Sequence, residues 1–332
     1  MRHSIVFRTL ILSLTISLSL IGSVAHAQGK NEVPTAQKDT CKVGVYMTSL
    51  YDLSFSDNSF STVYWLWFTY TNDGLDPLKS FEVLNTKQVA TLADTKLIRT
   101  EGAINYATAK MRITAKKEWD LKNYPFDYQH TLVVNIEATD DTSRLVFIAD
   151  TANSGFSRNI ILNDWAIESM QVQTSKAEYA TNFGDPTSPN GFAYSNCAFT
   201  LTIHRKGSWA IFYKLFAGAY IPFLISMLVF WINPKSVDPR FGLSVGALFA
   251  VVANKYVIES SVKVNNSLTL ADNIHAVTFL CLFLTVFVST ISLLWMQQGK
   301  EQRSRQLDRM SFWTISSIYV LVNVILLFQA HH

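Results

Sequence analysis

The sequence contains few cysteines and carries little net charge. Its 332 residues include three cysteines, and the formal net charge is +3 at pH 7. No paired-cysteine motif, metal-ligand spacing or glycine-rich phosphate loop occurs along the chain. The sequence therefore disfavours an enzyme and predicts no cofactor, and its mild charge gives no indication of nucleic-acid binding.

The three cysteines leave one pairing open. Cys281 falls within an apolar segment, whereas Cys41 and Cys197 do not. These two could form a disulfide in an oxidising compartment, and their large separation along the sequence neither supports nor excludes that bond.

Charge-free apolar segments are the main feature that the sequence does contain. At the N-terminus, Arg2 and Arg8 precede an apolar run over 10–24, which is followed by an Ala-His-Ala cleavage site. This arrangement predicts a secretory signal peptide over 1–27, with a first membrane anchor as the alternative.

Four further apolar segments lie in the C-terminal part. Three of them, 215–232, 276–296 and 311–330, can each cross about 30 Å of hydrocarbon as a helix. The fourth, 241–253, is short and continues into polar residues, which are tolerated at membrane depth where they face water or protein. We interpret it as a water-lined helix, with a buried re-entrant segment as the alternative. The sequence thus predicts a membrane domain over 209–332, with spans near 212–232, 238–260, 272–296 and 311–330.

The basic residues indicate the orientation of this membrane domain. The loops 233–240 and 297–310 contain six lysines and arginines, whereas the opposite loop, 261–275, contains only Lys263. By the positive-inside rule, the two basic loops are cytoplasmic. The segment 28–208 is therefore expected in the periplasm, outside an inner membrane that the chain crosses several times.

The segment 28–208 has the composition of an all-β domain. Short runs rich in β-branched and aromatic residues recur, and Phe199, Leu201 and Ile203 alternate with polar residues, the period of a half-buried strand. Turn-like clusters separate the runs, and long amphipathic helix patterns are scarce. This pattern predicts a β-sandwich.

One short motif resembles a known family. Residues 124–129 read Tyr-Pro-Phe-Asp-Tyr-Gln, which resembles the aromatic-Pro-Phe-Asp-x-Gln loop of the Cys-loop receptor superfamily, the pentameric ligand-gated ion channels. Lys117 and Thr131 stand where animal members have the two cysteines, and prokaryotic members lack them too. The resemblance implies a bacterial homopentamer, in which an all-β sandwich is followed by an all-α four-helix transmembrane domain.

The motif is expected to couple the two domains during gating. Pro125 fixes its own φ and restricts the preceding residue, so the tip of the loop is stiff. Two of its aromatic rings are expected to insert into the outer ends of membrane helices, and its aspartate to pair with a basic residue. The alternative is an ordinary turn with a solvated aspartate. The predicted coupling residues are Tyr124, Pro125, Phe126, Asp127, Arg205 and Lys206.

The resemblance also implies an agonist site between subunits. Aromatic side chains suit a cationic amine through cation–π attraction. Core packing explains the candidate tryptophans, Trp65 and Trp67, equally well. Where many members carry an aromatic residue, this chain has carboxylates, which could hold an amine, Ca²⁺ or no ligand. The identity of the agonist is therefore open between an amine, a proton and Ca²⁺. The aromatic candidates are Trp65, Trp67, Tyr179, Phe183, Phe192 and Tyr194, and the acidic ones are Glu137, Asp140 and Asp141.

The second span carries a stripe that the resemblance places along a pore. Its members recur at spacings of four and three and therefore share one helical face. The largest apolar one, Phe249, would form a hydrophobic constriction. Helix packing through Gly242-x-x-x-Gly246 is the alternative. The predicted lining residues are Asp238, Gly242, Gly246, Phe249, Ala253, Tyr256, Glu259 and Ser260.

The acidic residues at the two ends of this stripe predict a channel for monovalent cations. Rings of Asp238 and Glu259 would concentrate cations and repel anions. Pro239 and Arg240 leave an anion-selective channel as an alternative, because anion-selective members carry a proline and an arginine nearby. A non-conducting, membrane-anchored periplasmic sensor is the alternative from another class. The expected partners are membrane lipid, the permeant cations and a small-molecule agonist.

Overall fold

The computed structural model describes residues 38–100, 104–184, 192–261 and 268–331, so the predicted signal peptide lies outside the described residues. Among these residues, ten strands precede four α-helices, in the order that the sequence predicts. The strands are β1 (Asp39–Ser54), β2 (Ser59–Tyr70), β3 (Phe81–Leu84), β4 (Thr86–Thr100), β5 (Ile104–Lys116), β6 (Gln129–Asp141), β7 (Leu145–Ala149), β8 (Gly155–Phe156), β9 (Trp165–Tyr179) and β10 (Phe192–Arg205). The helices are α1 (Ser208–Met227), α2 (Val237–Ser261), α3 (Leu270–Gln297) and α4 (Glu301–His331).

The strands form two sheets that pack face to face. One sheet has the order β4-β5-β2-β1-β7, with β8 paired to β1, and the other has the order β3-β6-β10-β9. Side chains of both sheets, including Phe68, Ile113, Ile136 and Leu201, belong to one buried core. Because alternate residues of a strand face opposite sides, the strands that line this core keep one face in it. The described residues of the edge strand β4 contribute no side chain to the core. The predicted β-sandwich is therefore confirmed.

The two cysteines of the sandwich do not form the disulfide that the sequence left open. Cys41 on β1 and Cys197 on β10 are both buried free thiols. Burial raises the pKa of each thiol to about 12, and Asp39 contributes to the shift at Cys41. Both thiols therefore stay protonated and act as small apolar core groups.

All four helices are long and apolar enough to cross a membrane. A 3₁₀ turn, Leu228–Trp231, follows α1 directly. The prediction placed the fourth span at 311–330, but α4 begins at Glu301. Most of the basic segment 297–310 is therefore helical rather than a loop.

A polar junction in the half of the bundle nearer the sandwich joins three helices. Asn254 of α2 donates from Nδ2 to the carbonyl oxygen of Leu215 on α1, at 2.9 Å. Its Oδ1 lies 3.1 Å from Nε2 of His275 on α3. Gly218 makes room for this amide, because a Cβ atom at that position would lie 2.5 Å from Asn254 Nδ2. The α1–α2 contact therefore depends on the missing side chain at residue 218.

We expect Gly218→Ala to destabilise the protein, by about 1–3 kcal/mol of unfolding free energy, because the added methyl group must displace Asn254. The matched control is Gly242→Ala, where a Cβ would meet no atom within 4 Å. That change should be neutral, or stabilising by up to about 1 kcal/mol through helix propensity. Thermal unfolding of both variants in detergent measures the difference. An equal loss in both variants would contradict the prediction and would favour helix packing at Gly242.

Candidate functional site

The predicted stripe on α2 is uncovered in the chain. All eight predicted lining residues are exposed, and Phe249 and Tyr256 reach 68% and 74% exposure. The opposite face of the helix is buried against the bundle, through Arg240, Ser244, Ala247, Val251 and Ile258. A Cβ at Gly242 or Gly246 would touch no described atom within 4 Å. The two glycines therefore do not serve helix packing within this chain.

Arg240 does not lie on the stripe. Its side chain is 1% exposed, and Nη2 donates to Asp308 Oδ2 of α4 at 2.7 Å. Its Nε donates to the carbonyl oxygen of Val229 at 3.1 Å, and Nη1 donates to Ser292 Oγ of α3 at 3.4 Å. This guanidinium therefore ties the ends of four elements together, and its charge is balanced inside the bundle.

The other end of α2 carries an exposed ion pair. Lys255 Nζ lies 3.1 Å from Glu259 Oε1 and 3.1 Å from Asp272 Oδ1 of α3. Asp272 also completes the capping box of α3 with Thr269. Glu259 remains half exposed in spite of its partner, so its carboxylate still lies at the end of the stripe.

The aspartate of the predicted coupling loop is buried in an ion pair. Arg205, at the end of β10, donates from Nε and Nη2 to the two oxygens of Asp127, at 2.7 and 2.6 Å. His130 Nε2 lies 2.9 Å from Asp127 Oδ2. The guanidinium of Arg205 also stacks over Trp165, 4.1 Å from the ring centroid. Arg205 is therefore the partner of Asp127, and Lys206, the other predicted partner, is exposed. Because Asp127 is buried in this ion pair, the alternative of a solvated aspartate is wrong.

Phe126, the middle one of the three aromatic rings of this loop, packs against the first membrane helix. Phe126 is 3% exposed and packs against Trp209 and Phe212 of α1, with ring centroids 4.9 and 5.6 Å apart. Tyr124 packs inside the sandwich instead, against Phe55 at 6.2 Å. Of the three rings of the loop, Phe126 and Tyr128 therefore contact membrane helices, and Tyr124 faces the sandwich.

Two contacts that the sequence did not predict add α3 and α4 to this junction. The backbone N–H of Leu270 donates to the carbonyl oxygen of Lys122 at 2.8 Å. The ring of His331, at the end of α4, lies 5.4 Å from Tyr128. The loop thus contacts three of the four helices, which is the position that a coupling element needs.

The aromatic candidates near the β9–β10 hairpin form a cluster over a buried carboxylate. Tyr179 packs against Tyr194 and Phe183, at 5.6 and 5.8 Å, and Phe183 stacks on Phe192 at 6.1 Å. The hydroxyl of Tyr179 donates to Glu137 Oε1 at 2.8 Å. This hydrogen bond to a carboxylate, together with burial, raises the pKa of Tyr179. The tip of the hairpin, 185–191, lies outside the described residues.

Two buried acceptors in this site have no donor within the described part of the chain. Glu137 is 2% exposed and its Oε2 has no hydrogen-bond partner there. Asn196, the residue opposite Glu137 on β10, likewise has an unpartnered Oδ1. A buried acceptor without a donor is costly, and water, a ligand or a proton can supply the donor. The sequence analysis did not single out Asn196, because asparagine in a strand carries no local signal of burial.

The calcium alternative is not supported. Asp141 accepts the backbone N–H of Ser143 at 2.6 Å, while Glu137 binds Tyr179. No group of three or more His, Cys, Asp or Glu side chains that could hold a metal ion occurs among the described residues. Glu137, Asp140 and Asp141 therefore do not form a metal site in this structure.

The predicted tryptophans lie on the other sheet. Trp65 and Trp67 alternate on β2 with core residues and therefore face away from the core. Trp67 Nε1 donates to Asp150 Oδ2 at 3.1 Å, and its ring lies against Gly44. Lys110 Nζ lies 5.5 Å from the ring centroid of Trp65. Because Glu137 faces outward from the opposite sheet, one chain alone cannot bring these tryptophans and the aromatic cluster into the same pocket.

Asp150 holds the surroundings of Trp67 in place. Burial acts to raise the pKa of this carboxyl, but hydrogen bonds from Asn153, Lys42 and Trp67 outweigh burial and hold the pKa below its ordinary value. The folded protein therefore gains stability from Asp150 above the ordinary carboxyl pKa, and loses it only as pH falls through the lower folded pKa. Mild acid does not titrate this group.

A β-sandwich joined to four membrane-capable helices through a Tyr-Pro-Phe-Asp loop is the architecture of the prokaryotic pentameric ligand-gated ion channels, and the resemblance of this chain to that class is confirmed. The chain is similar to a proton-gated ion channel of Gloeobacter violaceus, with 22% identity over 211 residues. The match covers 63% of this chain and 55% of the relative, just over half of its length. No family model matches the chain.

We expect Asp127→Asn to destabilise the protein by about 3 kcal/mol of unfolding free energy, because it leaves the Arg205 guanidinium buried without its counter-charge. The measurement is thermal and denaturant unfolding, followed by current recording from any variant that still assembles. Asp120→Asn is the matched control, since Asp120 is an exposed aspartate near the same loop. The prediction fails if both variants unfold and gate alike.

Proposed function

We propose that the chain is one subunit of a homopentameric cation channel in a bacterial inner membrane. Its β-sandwich faces the periplasm, and a cationic ligand bound between subunits opens the pore. The observation that carries this proposal is the uncovered stripe on α2. An isolated bundle that only anchors a sensor has no need for a face of two glycines, two carboxylates and two large exposed rings.

Five copies of α2 around an axis would turn this stripe into a pore. Asp238 would form an acidic ring at one mouth, and Glu259 would form a ring at the other. Phe249 lies between the small residues Gly246 and Ala253, so five Phe249 rings would form the narrowest apolar level. Such a constriction blocks ions by dewetting.

The position of Arg240 supports cation selectivity. An arginine that faced the pore would oppose the Asp238 ring and favour anions. Here the guanidinium is buried and bound to Asp308 at 2.7 Å, so its charge is neutralised within each subunit. Asp238, by contrast, is exposed on the stripe. Of the two charged residues in the first turn of α2, only Asp238 therefore lies on the stripe.

We expect Asp238→Asn to lower the cation-to-anion permeability ratio by about tenfold, because a carboxylate ring raises the local cation concentration by at least that order. Reversal potentials of the purified protein in planar bilayers, recorded across a salt gradient, measure the ratio. Glu301→Gln is the control, because it removes an exposed carboxylate from α4, away from the stripe. An unchanged ratio would remove Asp238 from the filter, and a wild-type protein that never conducts would favour the sensor.

The buried acceptors at Glu137 and Asn196 support a primary ammonium ion as the ligand. An ammonium carries three donors and no acceptor, so it can satisfy Glu137 Oε2 and Asn196 Oδ1 together. The surrounding rings of Tyr179, Tyr194 and Phe192 add cation–π attraction. In a pentamer, the outward-facing Trp65 of the next subunit would close the pocket from the other side.

A proton is the second candidate ligand, and the proton-gated relative is the observation that favours it. A protonated Glu137 carboxyl gains one O–H donor, which removes the unpaired charge and can satisfy one acceptor. The two ligands predict different responses. An amine acts at neutral pH, whereas a proton acts without any added amine.

We expect Glu137→Gln to raise the amine concentration for half-maximal current by about tenfold or more, because a charge-assisted hydrogen bond is worth about 1.5–3 kcal/mol. Dose-response curves for a primary alkylamine and its isosteric alcohol, recorded at constant pH, provide the measurement. The control is Glu178→Gln, since Glu178 is exposed on β9. Equal curves for both variants would place the amine elsewhere, and acid activation that is lost in Glu137→Gln would identify the proton instead.

A further inference from the structure

One lysine of the sandwich lies beside an aromatic ring of the proposed ligand site. Lys110 of β5 stands directly opposite Trp65 of β2 in the antiparallel ladder, so both side chains point to the same outer face of the sheet. The Nζ atom of Lys110 lies 5.5 Å from the centroid of the Trp65 ring, which is within cation–π distance. The ring that an amine ligand is expected to contact therefore already has an ammonium group of its own chain beside it.

Lys110 has no counter-charge within the described part of its own chain. No carboxylate of a described residue lies within ion-pair distance of its ammonium group, although the side chain is half-buried. An ammonium group has three N–H donors, and a contact with one ring does not use all of them. Lys110 can therefore take an acceptor as a further partner and still remain beside Trp65.

Glu137 has the opposite deficiency. It is 2% exposed, its Oε1 accepts the hydroxyl of Tyr179, and its Oε2 has no donor among the described residues. No basic side chain of the described residues forms an ion pair with it, and a buried carboxylate without a counter-charge is costly. Lys110 and Glu137 thus each carry the charge that the other lacks. Because they face away from the core on opposite sheets, only two copies of the chain can bring them together.

We propose that, in the pentamer without amine, the ammonium group of Lys110 occupies the ligand site of the neighbouring subunit. There it pairs with Glu137 Oε2 and donates to Asn196 Oδ1, while it remains beside Trp65 of its own subunit. A free primary amine has to displace it, so Lys110 is a built-in competitor that raises the amine concentration at which the channel responds. This inference rests on the proposed function, since it needs two adjacent subunits and the amine site between them.

The shape of a lysine side chain suits this role. Glu137 is buried beside the ring of Tyr179, so its partner has to pass that ring. Lysine carries its charge as a compact group at the end of a flexible four-carbon stem, whereas the guanidinium of arginine is a planar fork. Arg112 is an exposed cation two residues further along β5, and it stands opposite Val63 instead of an aromatic ring. It therefore provides a matched control for Lys110.

The first test treats the full-length protein in detergent, without added amine, with a water-soluble carbodiimide. The reagent activates a carboxyl group, and the amine of a lysine in contact with it then displaces the activating group to form an amide. We expect a peptide that links Lys110 to Glu137, isolated from covalent dimers, because the two residues belong to different subunits. Lys110→Gln should abolish this link and Arg112→Gln should leave it unchanged. The internal reference is the link between Lys42 and Asp150, which lie 2.9 Å apart within one chain.

The second test adds a primary alkylamine at constant pH, with its isosteric alcohol as the control. Amine at about ten times its apparent dissociation constant leaves about a tenth of the sites to the lysine. We therefore expect the Lys110–Glu137 link to fall about tenfold relative to the Lys42–Asp150 link, and this ratio corrects for reagent that the amine consumes. In current recordings, Lys110→Gln should lower the amine concentration for half-maximal current about tenfold, since the amine no longer displaces a charge-assisted hydrogen bond. Arg112→Gln should leave that concentration unchanged.

Native mass spectrometry of the same samples distinguishes failure of this inference from failure of the proposed function. If the protein is a pentamer but Lys110 and Glu137 form no link, or if the link survives saturating amine, the lysine does not occupy the ligand site and the inference is wrong. If Lys110→Gln raises the amine concentration required, Lys110 helps to bind the ligand instead of competing with it, and the inference is again wrong. A protein that forms no pentamer overturns both proposals. A pentamer that carries the link but never conducts contradicts the proposed channel alone, because the link is measured without any current.

Discussion

The buried ion pair between Asp127 and Arg205 is the interaction on which the rest of the structure depends. Both side chains are almost fully buried, and two opposite charges are stable there only if both oxygens and the guanidinium are bound in good geometry. The bidentate contact and His130 meet that requirement. Since α1 begins three residues after Arg205, this pair fixes where the sandwich ends and where the first membrane helix starts.

A second buried ion pair, Arg240 with Asp308, holds the helices together at the end of the bundle that is remote from the sandwich. It ties the beginning of α2 to α4, while Val229 and Ser292 bring in the other two helices through hydrogen bonds. The half of the bundle nearer the sandwich is held by the amide of Asn254. All of these contacts lie on one side of α2. The other side of α2 is left exposed by the described residues, apart from the ion pair of Glu259 with Lys255. This asymmetry is the one that the proposed pore would use.

Much of the fold is readable from the sequence, because apolar run length and two-residue alternation are direct consequences of burial. The apolar runs located the four spans, and the Tyr-Pro-Phe-Asp loop located the junction. The start of α4 was missed because residues 301–310 are charged, and hydropathy does not report a helix that extends beyond the membrane. The sequence also does not predict that Arg240 and Glu137 are buried. Each is buried by partners that are distant in sequence, and a periodic pattern does not report the direction of a single side chain.

The two candidate sites of the sandwich lie on the same pair of strands. Glu137 and Asn196 face each other on β6 and β10, and the same antiparallel ladder runs on to Gln129 and His204. Asp127 and Arg205 lie immediately beyond that end. Eight residues of strand span about 27 Å, and a ladder of continuous hydrogen bonds is stiff along its length. One hydrogen-bonded ladder therefore joins the proposed ligand site at Glu137 to the ion pair that positions α1, and it is a continuous physical connection between the two sites.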